Sequence, residues 1–217
     1  IFDFLNVGPA HFDALLGLIV SCIDFKKTSK IRTYLNELEN LPQKYSSNKL
    51  NYYYKIAKAY YLKHSKSNGD IADARNLFKE IFEDSNVEFE KKTFAIINYC
   101  EIILKNWEPS NQYDNLDEVK KLTLILIENA KNAFSFLVLA QSYLILSNIA
   151  IIEGNINESL EFLLKAKTIS ENKNLNLQNK IKTIYSKITD SQRISELNIL
   201  AINDLKQELS NMVLTRR

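Results

Sequence analysis

Residues Ala140–Lys173 read AQSYLILSNIAIIEGNINESLEFLLKAKTISENK, two apolar-periodic segments joined by Glu153-Gly154-Asn155. Counting from Gly154, Ile156, Ser159, Leu163 and Ala166 stand 2, 5, 9 and 12 residues on. Ala150, Ser147, Leu146 and Tyr143 stand 4, 7, 8 and 11 residues before it. Two antiparallel helices need small side chains where they cross and large ones where each fills its neighbour's groove. The stretch therefore predicts a tight helical hairpin. A second hairpin is written around Gly69, followed by Ile71, Ala74, Phe78 and Ile81 at the same offsets of 2, 5, 9 and 12. Upstream of it Tyr61 and Ser65 keep the pattern, whereas Lys58 and Leu62 depart from it.

Working outward, Ile1 to Val7 is apolar and ends at Gly8-Pro9, the tail of an earlier element. From His11 to Ile23, Phe12, Leu15, Leu16, Ile19 and Ile23 share one helical face. A helix from about Thr28 to Asn40 follows, with Ile31, Leu35 and Leu38 as its stripe and Pro42 marking its end. Lys26 stands where a turn glycine belongs and Thr28 where an apolar residue should follow, so this pair is a degenerate copy. Between Gly69 and Gly154 lie 85 residues, about half a repeat more than two periods of roughly 34. One irregular pair takes up the excess: Glu88 to Asn106, a loop at Trp107 to Asn111, then Leu116 to Lys131. Leu177, Ile181, Ile184 and Ile188 mark a helix over 175–188. Ser191 caps a last one to about Leu214, polar outside and apolar inside, as the end of a stack requires.

The glycine-centred offsets resemble the tetratricopeptide repeat, a helix–turn–helix unit of about 34 residues. The resemblance extends more loosely to the whole chain. The runs HFDALLGLIVSCIDFKKTSKIRTYLNELENLP, FAIINYCEIILKNW and SYLILSNIAIIEGNINESLEFLLKAKTISE are similar to divergent, archaeal-type members of that family. The resemblance implies an all-α, right-handed solenoid of antiparallel helices, about ten counting the segments above, in one domain over 1–217. The opening at Ile1 without an initiator Met gives the expectation of a piece of a longer chain. Its clearest repeats would be 55–88 and 140–173, with the irregular pair at 88–131 and a capping helix at about 191–214. It also implies a mode of binding, in which the first helix of each pair lines a concave groove that holds a peptide or partner helix.

Composition agrees with helices. Apolar residues make up 46% of 217, and 4 Gly and 3 Pro leave little punctuation. Net charge is +2, from 28 basic and 26 acidic residues interspersed along the chain. That balance predicts neither nucleic acid nor a membrane surface as partner. Cys22 and Cys100 lie inside apolar helical patterns, as free thiols of a reducing compartment do. The expected location is the cytoplasm.

The run Asn132–Ile152 carries no charge over 21 residues, long enough for a membrane span. It contains Ser135, Gln141, Ser142, Ser147 and Asn148, however, and the repeat register makes it a helix covered on several sides. Tyr52, Tyr53, Tyr54, Tyr60 and Tyr61 interleave with Lys49, Lys55, Lys58 and Lys63. Stacked bases would use that vocabulary, but Tyr53, Ala57 and Tyr60 or Tyr61 share a core-filling face. His11 and His64 form no metal-spaced pair, so no metal or cofactor is expected. Acid pairs such as Glu37/Glu39 and Asp117/Glu118 fit solvated helix faces. No nucleophile elbow, phosphate-cradling loop or Cys–His pair suggests an enzyme.

Helical phase places Lys63, Ile97, Glu101, Gln141, Leu144 and Asn148 towards the groove, with Ile56, Ala59, Ser67, Lys105 and Ile152 beside them. An Asn and a Lys there suit a peptide backbone or a carboxylate. The expectation is a protein-interaction scaffold, with oligomeric state left open. The alternative is the sensor or regulatory half of a signalling or transcriptional regulator whose effector domain lies upstream of Ile1.

Overall fold

The computed structural model describes residues 7–44, 51–107, 113–171, 177–186 and 188. Helix follows helix through them: α1 Val7–Asp24, a 3-10 turn Thr28–Lys30, α2 Ile31–Lys44, α3 Asn51–Lys63 and α4 Asn68–Glu83. Then come α5 Phe89–Lys105, α6 Tyr113–Asn132, α7 Phe136–Ile152 and α8 Ile156–Ser170, and a helical segment at 177–186. No strand occurs among the described residues. The expected capping helix at 191–214 lies outside them, as does the expected loop at Trp107 to Asn111 beyond its first residue.

Three of these helices end in the same way. At the end of α1 the Lys27 N–H donates to Cys22 C=O and the Lys26 N–H to Ile23 C=O. After α6, Ser135 donates to Ala130 and Phe134 to Lys131; after α7, Asn155 donates to Ala150 and Gly154 to Ile151. This paired closure is the Schellman motif, and its turn residue must adopt a left-handed backbone. Lys26, Phe134 and Gly154 do so, with φ of 56°, 51° and 79°. Only the last is a glycine, which is why sequence marked one of the three turns plainly.

Gly69 corrects the expectation in the other direction. It is not a turn residue but the second residue of α4. The chain turns before it, where Ser67 accepts from the Asp70 N–H and Ser65 Oγ donates to the Asp70 carboxylate. A serine N-cap does there what a left-handed glycine does elsewhere. Two boundaries also move. α1 begins at Val7, so Gly8-Pro9 opens a helix rather than closing one; a first-turn proline loses an N–H that has no helical acceptor anyway. α2 starts at Ile31 and runs through Pro42 to Lys44. So near the end, that proline removes one hydrogen bond without ending the helix.

Burial repeats with the expected offsets. At 5, 9 and 12 residues beyond Lys26, Gly69 and Gly154 stand Ile31, Leu35 and Leu38; Ala74, Phe78 and Ile81; and Ser159, Leu163 and Ala166. All nine are buried. The pair headed by Lys26 therefore matches the other two at these three offsets, though neither in its turn residue nor in the residue type at Thr28. Each fully buried Leu, Ile or Phe contributes roughly 1.5–3 kcal/mol, which makes these stripes the main support of each hairpin.

The chain divides into two compact units, Ile1–Asn129 and Ala130–Arg217, with the boundary inside α6. In the first unit α1 packs on α2 and α3, α2 on α3, α3 on α4 and α5, and α4 on α5. The odd-numbered helices α1, α3 and α5 are thus successive neighbours, each also packed on an even-numbered one. α6 joins through Glu118, which accepts from the Tyr99 hydroxyl of α5 at 2.7 Å and from Lys79 of α4 at 3.2 Å.

In the second unit α7 packs on α8. Ala140, Leu144, Leu163 and Ala166 form one core with Leu177, Ile181 and Ile188, and Ile184 packs against it. Helix α7 accounts for most of the uncharged run. Its buried residues include Ala140, Ser142, Ile145, Ser147 and Ile149, which no single helical face contains. No helix among the described residues is long and apolar enough to cross a membrane.

Candidate partner-binding surface

The layer made by α1, α3 and α5 carries a connected set of polar and aromatic side chains. At its α1 end, Asp13 accepts from Lys91 Nζ of α5 at 2.5 Å and from the Tyr53 hydroxyl of α3 at 3.4 Å. The Lys91 ammonium also lies 5.2 Å from the centre of the Tyr53 ring, a cation–π contact. Phe12 of α1 meets the same ring at 5.2 Å.

About two turns further along α3, the Tyr60 hydroxyl donates to Asp24 at 2.7 Å. Its ring lies 5.5 Å from Phe94 of α5 and 4.8 Å from His64. The tyrosines are thus core residues whose hydroxyls reach acceptors at its edge. Burial raises the Tyr53 phenol well above its ordinary range, helped by its hydrogen bond with Tyr52. Burial and then the Asp24 carboxylate do the same for Tyr60. Both stay neutral donors.

Lys63 closes α3. Its ammonium donates to Asn98 Oδ1 at 2.7 Å and contacts the Glu101 carboxylate, both on α5. The Lys63 side chain is only 13% exposed and Glu101 34%, so the pair is partly withdrawn from water and less screened than a surface ion pair. Asn98 is buried, and its amide donates to Phe94 C=O at 2.8 Å, which turns Oδ1 towards Lys63.

The structure thus brings Lys63 and Glu101 into contact. Ile97 sits beside them on α5 but is buried, as are Ile56 and Ala59 on α3, so these three belong to the core. Ser67 is the α4 cap. Gln141, Leu144 and Asn148 lie on α7 in the second unit: Leu144 is part of its core, while the two amides are half-buried.

Sequence reading missed Asn98, Asp13, Asp24 and Lys91. Asn98 stands three residues before Glu101, a spacing that shares a helix face, and so was findable. Asp13 and Lys91 are 78 residues apart, and no local signal pairs them.

Neither cysteine is in a disulfide: Cys22 is half-buried and Cys100 buried. Burial pushes the Cys100 thiol up to about 12, which keeps it protonated and unreactive. Among the described residues no group of three or more His, Cys, Asp or Glu side chains gathers as a metal site would need.

No family model, curated protein or solved structure matches this chain.

Proposed function

We propose that this chain is a protein-interaction scaffold whose helical hairpins form a tetratricopeptide-like solenoid, and that it holds a peptide segment or another protein against the α1–α3–α5 layer. The observation that carries the reading is the Lys63–Asn98–Glu101 cluster on adjacent odd-numbered helices. Repetition of the buried offsets in three hairpins supports the repeat character. In this reading a partner buries apolar side chains along the layer, while the Lys63 ammonium and Glu101 carboxylate fix its register through charge-assisted bonds. Free thiols such as Cys100 suit a reducing cytoplasm.

Affinity purification from native lysate, with the bound proteins identified by mass spectrometry, tests this when wild type and Lys63→Glu are run side by side. A polypeptide retained by wild type and depleted about tenfold or more by the variant supports the layer, that factor being about 1.4 kcal/mol. Background proteins alone, or equal retention by a folded variant, count against it.

A further inference from the structure

A cleft of about 620 Å³ opens where α4 begins, α5 ends and α6 begins. Small-molecule sites commonly enclose roughly 300–1,000 Å³. Ile71 and Arg75 come from one face of α4, Ile102 and Lys105 from the last turn of α5, Trp107 follows α5, and Asn115 lies in the first turn of α6. Ile102 is buried, while Ile71 and Trp107 are partly exposed and give an apolar patch in a lining that is otherwise mostly polar.

Three observations point to what this patch would face. Arg75 and Lys105 line the cleft, are exposed, and form no ion pair among the described residues. Among the described residues no acidic side chain lines the cleft. The Trp107 indole N–H is buried with no acceptor among the described residues, and a buried donor without a partner favours a ligand that brings one.

We infer that the cleft binds a small organic anion: an apolar body against Ile71, Ile102 and Trp107, and one anionic head between Arg75 and Lys105. The two cations, which form no ion pair among the described residues, select the head, and the apolar surface of Ile71 and Trp107 selects the body. The starts of α4 and α6 bring positive dipole ends to the cleft and the end of α5 brings a negative one, so the preference for negative charge rests on Arg75 and Lys105.

Trp107 is the only tryptophan in the chain, so its emission reports on this cleft. The test is a fluorescence titration of the full chain with octanoate, beside octanamide and inorganic phosphate. The expected result is a saturable emission change with octanoate, at least about tenfold weaker affinity for octanamide and for phosphate, and a similar loss in Arg75→Gln/Lys105→Gln. Lys63→Glu, which alters the partner surface, is expected to respond to octanoate as wild type does, so this site and that surface stand or fall separately. A lack of saturation with octanoate would overturn the inference. So would equal affinity for octanamide or phosphate, or unchanged affinity in the double variant with its helix content intact by circular dichroism.

Discussion

Ser147 Oγ and Ser159 Oγ lie 2.8 Å apart, both fully buried, at the contact between α7 and α8. The two small residues let the helices approach, and the hydrogen bond satisfies the hydroxyls that close approach buries. Each alanine substitution alone leaves one buried hydroxyl with its cross-helix partner gone, at a cost of about 1–2 kcal/mol. Ser147→Ala/Ser159→Ala removes both hydroxyls together, so the double variant is expected to lose less than the sum of the singles. Urea unfolding of the four proteins gives the coupling energy; strict additivity would mean that the bond contributes nothing at this crossing.

The left-handed turns make a prediction of opposite sign at two positions. Phe134 holds φ 51° with its side chain 80% exposed. Phe134→Gly relieves a conformation costing about 1–2 kcal/mol and loses little packing, so it is expected to raise the melting temperature by a few degrees. Gly154 has open space around the position of an added Cβ, so Gly154→Ala carries a backbone cost alone, of about 1 kcal/mol. Thermal melts of both variants check the pair. A destabilised Phe134→Gly would show that the exposed ring has a role that its surroundings do not reveal.

Stability should fall at alkaline pH. Burial holds the Cys100 thiol at about 12. It also raises the phenols of Tyr53, Tyr60 and Tyr99, with a Tyr52 hydrogen bond adding at the first and hydrogen bonds to carboxylates at the other two. Above the unfolded values the native state keeps protons that the unfolded chain has released. Unfolding then releases protons, and rising pH favours it. The midpoint of thermal unfolding is therefore expected to be level up to about pH 9 and to drop above it, as thiols and then phenols titrate in the unfolded chain. A level midpoint through pH 11 would contradict the burial of these groups.

Much of the fold was legible because packing repeats with the chain. The buried stripes at Ala74, Phe78, Ile81 and at Ser159, Leu163, Ala166 follow directly from spacing, and so does the segment with Leu177 and Ile181. What misled the reading was backbone punctuation. Lys26 and Phe134 take a left-handed conformation that sequence assigns to glycine, while Gly69 sits in a helix because Ser67 already caps it. The candidate surface was legible only in part. Helical phase placed Lys63 and Glu101 together, but Ile97 on the same phase is buried, because a helix packed on several neighbours has no simple inner and outer face. The contact of Asp13 with Lys91 depends on α1 and α5 both meeting α3, which is a property of tertiary packing.

The most direct test of the proposed role is amide hydrogen exchange of the chain with and without the polypeptide that co-purifies with it. The account predicts slowed exchange concentrated in α1, α3 and α5, above all near Lys63 and Glu101. Protection confined to α4 and α8, or no polypeptide retained above background, would contradict it.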